Sequence, residues 1–288
     1  MQGLKPQNLH EWETAVLFWA GDDPNETLAV LKRIGIRCGQ VGLRGDFDLS
    51  CAPQWKEALQ AANFTATAVC AAYLGEDYSD IPTVKRTVGF IPPLTRDVRE
   101  KRTYRVIDFG AAIGAKSISI HIGFVPSEPG DPDYVAVREI ARRVCDYAAI
   151  HGQTFALETG QESAPELLAF LRDVNRENLG INFDPANMIL YGTGDPIEAL
   201  DVLGKYVLSV HCKDGDWPPA AQPNALGQEK NLGEGAVGIE RFLDKLAKIG
   251  YSGPLTIERE GVDSAQWLKD VESSIQLIAQ LKQRAAQN

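Results

Sequence analysis

Five short stretches end on a side chain able to take part in chemistry: Ser119-Ile120-His121, Ala156-Leu157-Glu158, Asn182-Phe183-Asp184, Ser209-Val210-His211 and Thr256-Ile257-Glu258. In each, a small or polar residue and a functional one flank a bulky apolar residue. That is how a strand with one face on a hydrophobic layer is written. If the bulky set packs against helices, the other set lines the opposite face, and imidazoles and carboxylates converge at one rim. Burying several carboxylates without positive charge is costly, so such a cluster implies a cation or shared protons. Glu158, Asp184, His211 and Glu258 offer three carboxylates and one imidazole, a mixed oxygen and nitrogen set suited to Mn²⁺, Mg²⁺, Co²⁺ or Zn²⁺. Each residue taken singly has a plainer reading, as a helix cap or half of a salt bridge. Their arrival at one depth on four successive strands is what favours a metal site.

The elements that must position these residues are legible from punctuation. Asp23-Pro24, Asp131-Pro132 and Asp195-Pro196 each open a helix with an N-cap and a proline in the first turn, and Ser163-Ala-Pro-Glu166 has the form of a capping box. Gly35, Gly114, Gly152 and Gly250 each stand between a helical pattern and a strand, where a left-handed residue closes a helix. Ile239, Phe242, Leu243, Leu246 and Ile249 form one helical stripe, and Trp267, Val271, Ile275, Ile278 and Leu281 another. Strands are expected at Thr14–Trp19, Ile36–Val41, Phe64–Tyr73, Ser117–His121, Thr154–Glu158, Gly180–Asp184, Val207–His211 and Leu255–Glu258. Eight strands alternating with helical segments, with no linker or break in composition, point to an α/β fold. The expected architecture is a single-domain (β/α)8 TIM barrel over residues 1–288, with an open doubly wound sheet as the competing one. Residues 1–13 read as an irregular lead-in. Leu74–Leu94 and Gly215–Val237 read as long non-helical loops at the barrel rim.

Composition narrows the partners. The 288 residues carry 29 Lys and Arg against 39 Asp and Glu, a net charge of −10, and there is no basic run. Such a surface repels phosphate backbones and anionic lipid, so nucleic acid and membrane are excluded as expected partners. The N-terminus lacks a secretory signal, which makes a cytoplasmic location the expectation. Five cysteines, odd in number and never spaced C-x-x-C, suit reduced thiols. No G-x-G-x-x-G or Walker loop follows a strand, so a dinucleotide or nucleoside triphosphate lacks its phosphate cradle.

Leu157-Glu158-Thr-Gly160, Asn182-Phe-Asp184-Pro-Ala-Asn187, Val210-His211-Cys-Lys213-Asp214, Gly233-Glu-Gly235 and Ile257-Glu258 resemble the xylose-isomerase-like TIM barrels, the superfamily of sugar phosphate isomerases and epimerases. The resemblance covers essentially the whole chain. It implies that Glu158, Asp184, His211 and Glu258 bind one divalent metal, often Mn²⁺. It further implies a metal-dependent isomerase or epimerase acting on a keto-sugar, with an enediolate formed by α-proton abstraction. Glu158 and Glu258 would flank the sugar as the acid and base. His121 and Lys213 would hydrogen-bond hydroxyls or the developing oxyanion, a salt bridge to Asp214 being the other role open to Lys213. Ketose 3-epimerases of this kind carry a histidine at the position of Asn187, a glutamate at Ala164 and an arginine at Trp217. Asn187 and Trp217 are accordingly expected to contact a different sugar, Trp217 by offering a flat face for stacking. β-Elimination by a lyase or dehydratase at the same site is the alternative, followed by a non-catalytic sugar-binding barrel. An endonuclease IV-like activity would need more histidines than the four present. Barrels of this kind are often homo-oligomers.

Overall fold

A computed structural model describes residues 12–222 and 224–285. Its strands are β1 (Thr14–Trp19), β2 (Cys38–Leu43), β3 (Thr65–Ala71), β4 (Ser117–Ile120), β5 (Thr154–Glu158), β6 (Leu179–Phe183), β7 (Val207–Cys212), β8 (Asp214–Asp216), β9 (Gln228–Lys230) and β10 (Leu255–Ile257). All but β8 and β9 close into a barrel in the order β1-β10-β7-β6-β5-β4-β3-β2. The pairings resolved around it are parallel. Closure confirms the (β/α)8 architecture over the open doubly wound sheet. Residues 1–11 of the expected lead-in fall outside the described residues.

Contacts divide the chain into two compact units: Met1–Val16, Thr159–Pro165 and Asn182–Asn288 form one, Leu17–Glu158 and Glu166–Ile181 the other. In the second unit, Phe18 turns outward and stacks on Trp55, with ring centroids 6.2 Å apart, and meets Phe64 edge-on. Pleat alternation therefore turns Leu17 and Trp19 inward. The stretch expected as non-helical over Leu74–Leu94 contains a helix, Ile81–Thr87. Its start carries the same signature as the other helices, since Asp80 accepts from the backbone N–H of Thr83 at 2.7 Å and Pro82 lies in the first turn. Arg99 holds this rim by donating to the carbonyls of Gly89 and Leu74, and Glu76 accepts from the N–H groups of Tyr73 and Gly89.

In the first unit, the helix Ile239–Lys248 buries Ile239, Phe242, Leu243 and Leu246, the stripe its spacing requires, and Phe242 stacks on Phe183 of β6. The segment 215–237 is not a plain loop. The antiparallel hairpin of β8 and β9 opens it. Asp214, 1% exposed, organises the whole segment: its carboxylate accepts from the backbone N–H groups of Gly215, Gly233 and Val237 at 2.9–3.1 Å. Gly233 takes φ +88°, and a Cβ on Gly235 would stand 2.3 Å from Asp214 Oδ1. The Gly-Glu-Gly spacing is thus the footprint of one buried carboxylate. Replacing Asp214 with alanine is expected to lower the unfolding free energy by about 3 kcal/mol, because three N–H groups lose a charged acceptor. Urea unfolding measures the loss, and limited proteolysis should show cleavage moving into 215–237.

Candidate functional site

Asp184 stands one residue past β6 and caps the helix Pro185–Tyr191, accepting from the backbone N–H of Asn187 at 3.0 Å through Oδ1. The plainer reading of this residue, a helix cap, is therefore correct for one of its oxygens. Oδ2 is fully buried and has no hydrogen-bond partner among the described residues; it lies 3.6 Å from both His211 Nδ1 and Lys213 Nζ. Thr159 fixes the neighbouring strand end, its hydroxyl donating to the Asp184 carbonyl and accepting from the Asp184 N–H. Gly160 follows at φ +141°, where a Cβ would come within 2.5 Å of Asn187 Cβ. The Leu157-Glu-Thr-Gly160 and Asp184-Pro-Ala-Asn187 motifs are in this way two sides of one contact.

His211 lies inside β7 and is fully buried. Its Nδ1 is 2.7 Å from Glu258 Oε2, and its Nε2 is 2.9 Å from Asn182 Nδ2. Glu158 closes β5, and His121, just past β4, brings Nε2 to 3.4 Å from Glu158 Oε1. Tyr78 packs its ring 5.6 Å from the His121 ring. One ligand atom from each of Glu158, Asp184, His211 and Glu258 lies within 4.8 Å of the others, and all four residues are buried.

Lys213 does not pair with Asp214, whose oxygens serve the backbone. Its ammonium, on a residue 4% exposed, sits 3.3–3.7 Å from Glu258, Asp184, Glu260 and Glu229. Burial opposes its charge, but these four carboxylates outweigh burial and raise its pKa well above the ordinary lysine value. Burial likewise opposes ionisation of Asp184, and the ammonium of Lys213, with His211 next, overcomes it and holds the carboxyl well below the usual range. Glu229 and Glu260 do not stand out in the sequence; both lie on segments that read there as loop. Arg259 compensates Glu229 with a 2.7 Å ion pair and anchors it to Asp270.

Charge counting tests whether the site suits a divalent ion. Three buried carboxylates, Glu158, Asp184 and Glu258, face one ammonium and the imidazoles of His211 and His121. A metal-binding imidazole is neutral, and with both rings neutral the three carboxylates exceed the ammonium by two negative charges, which is the charge a divalent cation brings. Oxygen-rich donors with one nitrogen fit Mn²⁺ or Mg²⁺ and admit Zn²⁺ or Co²⁺.

Of the other residues expected at the site, Asn187 is buried against Gly160 with its N–H on Asp184. Trp217 is 46% exposed, and among the described residues no hydrogen bond, ion pair or ring contact ties it to the cluster. No described helix is long and apolar enough to cross a membrane. None of the five cysteines is in a disulfide.

Comparison with known proteins places these features in context. The sequence profile of the xylose isomerase-like TIM barrel family matches residues 28–281. A xylose isomerase domain protein from Planctomyces limnophilus is 42% identical with a TM-score of 0.91, over 96% of this chain and 100% of that one. A xylose isomerase-like TIM barrel protein from Mycobacterium smegmatis, solved in complex with magnesium, shares the fold at 17% identity and a TM-score of 0.71, over 96% and 99% of the two chains. A ketose 3-epimerase from Arthrobacter globiformis is 31% identical over 108 residues, 37% of this chain and 31% of that protein. The chain spans about half the length, or less, of the curated relatives it matches.

Proposed function

Because this chain belongs to the xylose isomerase-like TIM barrel family, we propose that it is a divalent-metal-dependent epimerase or isomerase of a keto-sugar, working by α-proton transfer. The observation that carries this reading is the cluster itself: two glutamates, Glu158 and Glu258, brought with Asp184 and His211 to within 4.8 Å in a buried, under-compensated site. A ketose 3-epimerase among the relatives and a magnesium complex among the structural neighbours agree with it.

Glu158, Asp184, His211 and Glu258 would hold the metal, with Mn²⁺ the first choice. When bound, the ion supplies Lewis acidity that stabilises the negative charge developing on a sugar oxygen. The chain's own residues do the rest. Glu158 ends β5 and Glu258 stands one residue past β10, strands that are not adjacent in the barrel, so a sugar between them meets a carboxylate on each face. One carboxylate takes the proton from the carbon next to the ketone and the other returns it from the far side, which inverts that carbon. His121, 3.4 Å from Glu158, orients that carboxylate and hydrogen-bonds a substrate hydroxyl. Lys213 holds Glu258 and Asp184 in place and hydrogen-bonds the developing oxyanion. Asn187 and Trp217 bound the sugar from the segments after β6 and β8.

Incubating a panel of keto-sugars with the Mn²⁺-reconstituted protein in D₂O, and analysing products by proton NMR after the metal is removed, tests the reading. The expected result is deuterium at the carbon next to the ketone, accompanied by inversion. A dehydrated product would instead establish β-elimination. No exchange across the panel, with metal bound, would leave a binding barrel and sink the proposal.

A further inference from the structure

Of the four carboxylates around Lys213, two belong to the proposed metal site and two do not. Glu258 and Asp184 stand 3.3 and 3.6 Å from its Nζ, Glu260 and Glu229 3.6 and 3.7 Å. A committed hydrogen bond between an ammonium and a carboxylate is about 2.7–2.9 Å long. None of the four reaches that length. The ammonium is shared among them on a flexible stem, and a small shift commits it to either pair.

Glu229 is the braced member of the second pair. Its backbone pairs with Gly215 in the β8–β9 hairpin. That hairpin sits on the helix Pro185–Tyr191, the one Asp184 caps: Gly227 donates its N–H to the Leu190 carbonyl at 2.8 Å, and a Cβ on Gly227 would stand 3.0 Å from Leu190 Cα. In the side chain, Oε1 accepts from Arg259 Nη1 at 2.7 Å and from the Glu260 N–H at 2.8 Å. Arg259 is fixed in turn, its Nε donating at 2.7 Å to Oδ2 of Asp270 on the helix Ser264–Ala285, while Gln266 donates to Oδ1. Turning the Glu229 carboxylate would break two hydrogen bonds to Oε1, so Oε2 stays directed at Lys213. The whole brace serves an oxygen that lies outside the four-residue cluster.

A divalent ion held by Asp184 and Glu258 claims two of the four anions that keep Lys213 buried, and it sets like charge beside the ammonium. With no other anion in reach, the ammonium would compete with the ion for the same two carboxylates. We propose that Glu229, with Glu260 beside it, retains Lys213 when the ion claims Asp184 and Glu258, drawing the ammonium off those two carboxylates while keeping it in the site. Glu229 is thus a positioning residue that acts through Lys213. The inference rests on the proposed metal site and on no particular substrate, and its test needs none.

Calorimetric titration with Mn²⁺ of the wild type, Glu229→Gln, Lys213→Met and the double variant closes a double-mutant cycle. Glu229→Gln should bind Mn²⁺ about 10-fold more weakly, inside the span measured for coupled neighbours, because the ammonium falls back on Asp184 and Glu258. In the Lys213→Met background the same substitution should change affinity less than about twofold. Simple loss of a negative charge near the ion predicts the opposite, a weakening at least as large where no ammonium screens it. That result would overturn the proposal, as would wild-type affinity in Glu229→Gln. Arg259→Lys has one nitrogen where the wild type holds Glu229 and Asp270 with two, so it should weaken binding less than Glu229→Gln and lose its effect without Lys213. It keeps the cycle available if Glu229→Gln misfolds, and Lys213→Gln is the second uncharged background. Absence of Mn²⁺ binding to the wild type would instead remove the metal site itself, and the role of Glu229 with it.

Discussion

Glu258→Gln and Glu158→Gln are each expected to abolish interconversion of the two epimers, with a fall in kcat of about 10³-fold or more, because a positioned general acid or base contributes about 10²–10⁴. The two variants should not fail alike. With one carboxylate gone the other still reaches one face of the sugar, so deuterium should enter the epimer whose proton faces the survivor and remain absent from the other. The amide keeps an oxygen for the metal, and metal content measured on the same samples separates lost chemistry from lost ion. Equal exchange into both epimers by either variant would contradict a two-base mechanism. The experiment is sharp because both residues are 6% exposed and each belongs to the same buried cluster.

Lys213→Met should destabilise the metal-free protein by about 3–5 kcal/mol, the cost of leaving buried charge without its partner. The ammonium faces four carboxylates at 3.3–3.7 Å, two of them in the proposed metal site, and methionine fills its volume without its charge. A saturating divalent ion should return part of that loss, so the metal-induced rise in Tm ought to be larger in the variant than in the wild type. Differential scanning calorimetry with and without Mn²⁺ measures both quantities. A metal-free variant as stable as the wild type would mean that the carboxylates shed their charge instead, and the charge argument for a divalent site would fall.

The barrel is legible in the sequence because its signals are local. Asp23, Asp131 and Asp195 cap the helices they announce, and Gly35, Gly114, Gly152 and Gly250 take positive φ at the ends where the spacing puts them. The clustering of Glu158, Asp184, His211 and Glu258 at strand ends is legible for the same reason, since pleat alternation alone fixes which residues share a face. Two rim features are not. The helix Ile81–Thr87 carries an N-cap that is easily passed over, because a single seven-residue helix leaves no apolar stripe to count. The hairpin β8–β9 pairs Asp214 with Lys230 and Gly215 with Glu229 across an intervening loop, and strands three residues long have no periodicity to detect. The surroundings of Lys213 are hidden with it, as Glu229 reaches the lysine only through that pairing. Strand boundaries move by a residue or two for a physical reason: Asp184 leaves the ladder because it is already the cap of the next helix.

That double duty of Asp184 bears on how such a barrel could drift over evolutionary time. A descendant with no metal to hold would still be held to aspartate or asparagine at this position, since the helix Pro185–Tyr191 draws its first-turn acceptor from there. Glu158 and Glu258 stand outside the N-cap positions of the helices that follow them, Ala164–Val174 and Ser264–Ala285, so selection on folding alone would release them first. An acidic residue at the end of the sixth strand is therefore a poor marker of activity in a relative of unknown role, and the pair of glutamates on the fifth and eighth barrel strands is the better one to look for.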